Sequence, residues 1–395
     1  MNRVAARYLY TLDREEPIRN GFVEYDDTGA VTATGVCPDP RKEERFLDGA
    51  LVPGFVNAHC HIELSYLKGL FRKGTGMAGF IDQINALRDT RTQEQKLDSI
   101  RHWMEVLWNR GVSAMADISN CADSFAIKQA SPMYTRTFLE VFGTEPEDCG
   151  AVMDRVSELH RTAASFGLDA ASTPHACYTM SPELLTASAR EGLKSGYLSF
   201  HSQESPEEEE MLKYGSGRLW RNRKDAGMSV PPVTGKSSLL YFLDRLAQAG
   251  QAPFKEHILL VHEVCLDQEG IDALRKMLLR PFIALCPQSN LFIHNALPPI
   301  PLMRANGLKL TVGTDALSSN DDLDMVRELY CIQKHFPEVG LSEMLGWACL
   351  NGAEFLSKAS VLGSIEAGKR PGLVFIDHLD ADGRLTAGST SHRIV

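Results

Sequence analysis

The 395-residue chain contains no apolar run near the roughly 18 residues that a membrane-spanning helix needs, which argues against a spanning segment. Its nine cysteines are an odd number scattered from Cys37 to Cys349, and no two stand in a CxxC pair. That excludes a disulfide scaffold or a thiolate zinc site as the organising chemistry. The first residues, Met1 to Tyr8, have neither a long apolar core nor a small-residue cleavage pattern, so no secretory leader is read and a cytoplasmic, reduced protein is expected. Basic residues are the scarcer charge: 41 Lys and Arg against 51 Asp and Glu leave a net charge of −10. This balance disfavours nucleic acid or an anionic membrane as the main partner. A small-molecule substrate fits better, and a homo-oligomer stays open. Internal repeats and low-complexity tracts are also missing. What is present is ordinary for a globular enzyme, with 44% hydrophobic and 23% charged residues.

One pattern recurs: a short β-rich run followed by a longer helical stretch. The runs cover 51–61, 111–119, 133–143, 168–177, 197–205, 257–264, 282–290 and 308–316. Intervening sequence such as MDRVSELHRTAASFG and SSLLYFLDRLAQAG carries apolar residues at helical spacing. Near-continuous apolar strands alternating with helices imply a parallel sheet covered by helices. Eight units over residues 54–363 predict an α/β chain with a (β/α)8 TIM-type barrel. The ends do not fit that pattern. Residues 1–53 and 364–395 read as short strands broken by turns, each too small to form a core alone. They are expected to make one composite β domain.

Chemistry concentrates where those strands end. In a strand, residues i and i+2 point to one side, so His59 and His61 of His59-Cys60-His61 face together. Two neutral imidazoles so placed are half of a site for a divalent ion. An isolated HxH is usually bland, but this one closes the first barrel strand, on the face where such barrels hold their active sites. His175 closes the fourth strand, His201 and Glu204 the fifth, His262 the sixth and Asp315 the eighth. Five strand ends delivering His or Asp to one rim make a metal site the better reading.

The segments PGFVNAHCHIELS, TPHACYTMSPELL, FHSQESPEEEE, LVHEV, CPQSN and GTDALSSNDDLDM together resemble the amidohydrolase superfamily, in particular its mononuclear deaminase and chlorohydrolase-like branch. HCHIELS and PHACYTMS are most similar to its aminofutalosine and adenosine-analogue deaminases. The resemblance implies that His59, His61, His201 and Asp315 hold one divalent ion, zinc before iron. It implies that Glu204, in an HxxE pattern, shuttles protons, and that His262 orients or deprotonates the nucleophilic water. Binuclear members carry a lysine after the fourth strand; Thr173-Pro174-His175 stands here, so a single ion is expected.

The chemistry suits those residue types independently. Metal coordination can lower the pKa of water from 15.7 to about 7, and Asp315 and His262 can take the proton as hydroxide attacks a ring carbon. A separate carboxyl able to alternate protonation states is needed for a ring nitrogen and a leaving amine. Because residues three apart do not share a strand face, the chain must leave the strand between His201 and Glu204. The function expected is deamination of an amino-substituted N-heterocycle, most simply an adenine-type nucleoside. Chlorohydrolase, guanine deaminase or cyclic-amide hydrolase is the alternative.

Other features are weighed more plainly. His175 and Glu63 are expected to hold substrate hydroxyls, and Arg72 and Arg218 are weak candidates for a carboxylate partner. Glu207 to Glu210 read as the acidic start of a solvated helix, capped at Ser205 with Pro206 at the first helical position. Trp220 and Phe292 read as core.

Overall fold

The computed structural model describes residues 2–395. Strands β1 (Asn2–Leu9), β2 (Ile18–Tyr25), β3 (Val31–Val36), β4 (Phe46–Pro53), β13 (Leu373–Ile376) and β14 (Ser391–Arg393) form one sheet in the order β14-β13-β4-β1-β2-β3. β4 runs parallel to β1 and antiparallel to β13, so it joins chain from both ends. The buried cluster beneath includes Val4, Leu9, Val23, Leu51, Ile365 and Leu373. Neither end supplies that cluster alone, which is why the sheet needs both.

Between these strands lie β5 (Phe55–Cys60), β6 (Val112–Ser119), β7 (Tyr134–Val141), β8 (Asp169–Pro174), β9 (Tyr197–Ser202), β10 (His257–His262), β11 (Pro281–Leu285) and β12 (Lys309–Val312). All their pairings are parallel, in two four-stranded sheets ordered β5-β6-β7-β8 and β12-β11-β10-β9. Backbone bridges link the outer strands at both seams, Cys60 to Asp315 and Ala176 to His201. Val56, Ala116, Phe138, Val261, Phe282 and Ala284, drawn from five strands and both sheets, share one buried cluster. β5 and β6 are buried at every position, the signature of strands covered on both faces. The two helix-like stretches lie in helices Cys149–Ser165 and Ser238–Ala249. Among the described residues no helix is long and apolar enough to cross a membrane.

One expectation needs correcting. Residues 51–61 are two strands, β4 and β5, and the break falls at Gly54. A Cβ there would overlap the Ser113 hydroxyl and the Pro371 carbonyl, so only glycine lets the chain pass this crossing. Apolar periodicity runs straight through it, and the corner shows only as a lone glycine.

A buried ion pair unmarked in the sequence reading sits beside the strand ends. Lys128 Nζ lies 2.6 Å from Asp117 Oδ2, both side chains fully buried. Lys128 also donates to Ser119 Oγ and Thr137 Oγ1, and Asp117 Oδ1 accepts from the Ile62 amide at 2.9 Å. The pair thereby pins the residue that follows His61. Lys128→Met should leave Asp117 buried and unpaired and cost about 3–5 kcal/mol, read as a lower urea midpoint. An unchanged midpoint would show that water or a proton relieves the charge.

Candidate metal centre and active site

The strand ends bring His59, His61, His201, His262 and Asp315 into one buried cluster. His61 Nε2 lies 3.2 Å from His59 Nε2 and 3.2 Å from His201 Nε2. Asp315 Oδ1 stands 3.5 Å from the Nε2 atoms of both His59 and His61. With zinc–nitrogen bonds of about 2.0–2.1 Å, neighbouring tetrahedral ligands are about 3.3–3.4 Å apart, so the spacing matches a metal-ligand shell.

The protonation states agree. Burial pushes His61 down to about 3 and His262 to about 3, and it takes His201 well below the usual imidazole range. Neutral rings present lone pairs, as metal ligation requires. His201 Nδ1 donates to the His175 carbonyl at 3.2 Å, which puts the lone pair on Nε2. Asp315 is buried, which alone would raise its carboxyl. The hydrogen bond from His59 and the surrounding imidazoles hold it well below the ordinary range instead. Its Oδ2 accepts from Ser289 at 2.5 Å and Ser319 at 2.9 Å, leaving Oδ1 turned toward the histidines. Ring nitrogens and a carboxylate oxygen this close to one another fit a divalent cation.

Local backbone explains how neighbours in sequence divide their tasks. β9 ends at Ser202, and Gln203 adopts φ +47°, so the strand stops before Glu204 as the three-residue spacing demands. Glu204 then accepts from the Tyr178 hydroxyl at 2.9 Å and lies 3.4 Å from His262 Nε2. Burial, with Asp315 adding to it, raises its carboxyl to about 8. The group therefore carries a proton at neutral pH. Asn290 Nδ2 holds His262 Nδ1 at 3.1 Å. Ser205 caps the helix that follows, accepting from the Glu208 amide.

A cavity of about 450 Å³ opens over this cluster and is lined by His61, Glu140, His175, Tyr178, His201, Glu204 and Asp315. Leu64, Met77, Phe80, Ile81 and Ile84 form an apolar wall, and Arg88 and Lys96 stand among its lining. His175 lies here with Nδ1 on Thr179 Oγ1 at 2.7 Å.

Several expectations give way. Both Glu63 oxygens are taken, Oε2 by the amides of Asn120 and Cys121 and Oε1 by the Ser124 hydroxyl. Glu63 anchors the loop after β6 while also standing in the cavity lining, so its oxygens already hold donors from residues 120–124. Arg218 is paired with Asp82 at 2.6 Å, and neither it nor Arg72 lines the cavity. The acid run is not a solvated face: Glu208 is fully buried with Oε2 on the Glu204 amide, and Glu207 Oε2 accepts from the Ala78 amide. Phe292 is buried in the core and Trp220 packs against it. Sequence reasoning also missed Glu140, Tyr178, Ser289, Asn290 and Ser319. All but Glu140 lie inside the segments quoted above, and Glu140 shows only as one acid closing an apolar strand.

A model of the amidohydrolase family matches residues 50–391. The chain belongs to the amidohydrolase family. A 5-methylthioadenosine/S-adenosylhomocysteine deaminase of Syntrophomonas wolfei is 26% identical over 92% of this chain and 82% of its own. An aminofutalosine deaminase structure of Helicobacter pylori, in complex with methylthio-coformycin, superposes with TM-score 0.77 at 22% identity, covering 98% of this chain and 94% of that one. A zinc-complexed atrazine chlorohydrolase of Arthrobacter aurescens follows at TM-score 0.71 and 18% identity, with 95% and 86% covered. At these identities the structural likenesses speak to the fold. This amidohydrolase carries no lysine at the fourth strand end, where Thr173-Pro174-His175 stands.

Proposed function

We propose that this amidohydrolase hydrolytically deaminates an adenine-type nucleoside, releasing ammonia and leaving an oxo ring. Residues 54–363 would form a closed (β/α)8 barrel, with residues 1–53 and 364–395 as the composite β domain. The bridges at both seams and the shared six-stranded sheet support this division. One zinc ion would be held by His59, His61, His201 and Asp315. When bound, that ion supplies the Lewis acidity that makes water a nucleophile at neutral pH.

The observation that carries the reading is Glu204. Its carboxyl is buried and protonated at neutral pH, is oriented by Tyr178, and stands 3.4 Å from His262 at the edge of the ligand cluster. A protonated acid so placed can donate to a ring nitrogen as an adjacent carbon is attacked, and can later carry a proton to the leaving amine. His262 holds the other side of that path, and Asp315, ionised among the imidazoles, is the second group that would take the proton of the attacking water. The curated relative described above acts as a deaminase on an adenosine derivative by its name, which supports the substrate class.

The test is ammonia release from adenosine, 5-methylthioadenosine, aminofutalosine and guanine, beside chloride release from a chlorotriazine. The adenine nucleosides should be preferred by tenfold or more in kcat/KM. A tenfold preference for guanine or the chlorotriazine would overturn the nucleoside reading and leave the metal centre standing.

A further inference from the structure

The acid run after β9 sends Glu208 inward, toward Glu204. β9 pairs with β10 as far as Ser202 opposite His262, and the left-handed Gln203 then turns the chain out of the sheet. The Glu204 amide is therefore buried beyond the last rung of the ladder, where an unmade hydrogen bond is costly. Its partner is Glu208 Oε2, at 2.8 Å.

This departs from an ordinary helix start. Ser205 is the N-cap of helix Pro206–Tyr214, and its hydroxyl accepts from the Glu208 amide at 3.2 Å. In a capping box the third helical residue returns a bond to the amide of the cap itself. Glu208 is that third residue, yet its carboxyl passes Ser205 and reaches Glu204, one position further back. The next acid behaves alike. Glu209 Oε1 accepts from Gln203 Nε2 at 3.2 Å and from the Ser238 amide and hydroxyl at 3.0 and 2.8 Å. Two successive acids thus hold the two residues that leave the strand. Tyr178 fixes the far end of Glu204, donating to Oε2 at 2.9 Å, while Glu208 fixes its backbone.

We propose that Glu208 is a positioning residue for the deamination, holding the Glu204 backbone so that the Glu204 carboxyl stays between Tyr178 and His262. The inference rests on the proton-transfer role given to Glu204 above. Glu208 does not line the cavity, so it acts through that hydrogen bond and not on the substrate. Burial, with Glu209 adding to it, raises the Glu208 carboxyl well above the ordinary range, so a neutral amide is a close stand-in for it.

The test compares kcat, KM and metal content of Glu208→Ala, Glu208→Asp and Glu208→Gln in the metal-loaded enzyme, on adenosine or 5-methylthioadenosine, whichever the wild type turns over faster. Because a misplacement of about 1 Å can cost 10²-fold, the Ala and Asp variants should lose roughly 10–100-fold in kcat, with KM and ion content near wild type. Asp is still an acid but falls a methylene short of the amide. Gln reaches it and should keep most of the wild-type kcat. If the Ala variant does not fold, the contrast between Asp and Gln decides. Glu210→Ala is the control, since that exposed acid meets the Ser216 hydroxyl and should leave kcat unchanged. Placed on Glu204→Gln, Glu208→Ala should cause no further loss, because no proton transfer is left to aim. Unchanged kcat in the Ala and Asp variants would overturn the proposal. So would a Gln variant as slow as the Ala one, an effect confined to KM, a lost ion, or an equal further loss on the Glu204→Gln background. Near-normal turnover by Glu204→Gln alone is a different failure, that of the proton-transfer reading itself.

Discussion

Glu204→Gln should reduce turnover by at least about 10²–10⁴-fold, the usual range for a lost proton-transfer group, and should leave metal content untouched. Glutamine preserves the shape of the side chain and can keep a hydrogen bond from Tyr178, which reaches Glu204 Oε2 at 2.9 Å. It cannot give up a proton and take one back. Because the wild-type carboxyl is raised to about 8 by burial, the proton it would deliver is present at neutral pH. Turnover and elemental analysis on the same preparation settle the matter. A variant that releases its ion would make Glu204 a ligand, and one with near-normal turnover would remove it from the chemistry.

His61→Ala should release the ion and abolish turnover. His61 Nε2 touches the whole cluster, at 3.2 Å from two other ring nitrogens and 3.5 Å from Asp315 Oδ1. Removing groups behind a ligand commonly costs 10–100-fold in metal affinity or activity, so removing a ligand should cost more. Stability should follow, because an ion that binds only the folded chain contributes about 4.1 kcal/mol at a thousandfold excess over its Kd. Elemental analysis should find one ion per wild-type chain and well under one in the variant. Thermal unfolding of the wild type should fall on chelation, while the variant should be insensitive to chelator. Two ions per active chain, or a variant that keeps its ion, would refute the single-ion shell.

Strand number, strand direction and the gathering of His59, His61, His201 and Asp315 at one rim were legible because they depend on local rules. An apolar run alternating with an amphipathic helix implies a parallel covered strand wherever it occurs, and His59 and His61 share a side through the two-residue period of extended chain. The break between His201 and Glu204 was legible for the same reason, and the structure places it at Gln203. Glu63 and Glu140 were not separable in this way. Each is an acid near a strand end, and the difference lies in which donors surround it. Glu63 meets two amides and a hydroxyl from residues 120–124, whereas Glu140 meets only Asn120.

By itself, then, the sequence determined the alternation of strands and helices, the amidohydrolase motifs and the four groups that converge at the strand ends. These follow from residue type and short-range spacing. The tertiary structure alone decided the corner at Gly54, the Asp117–Lys128 pair beneath His61, the burial of Glu208 and the free oxygen of Glu140. Each of those depends on a group brought close by the fold from another element, and burial then sets whether a carboxylate is anchored, protonated or left without a partner.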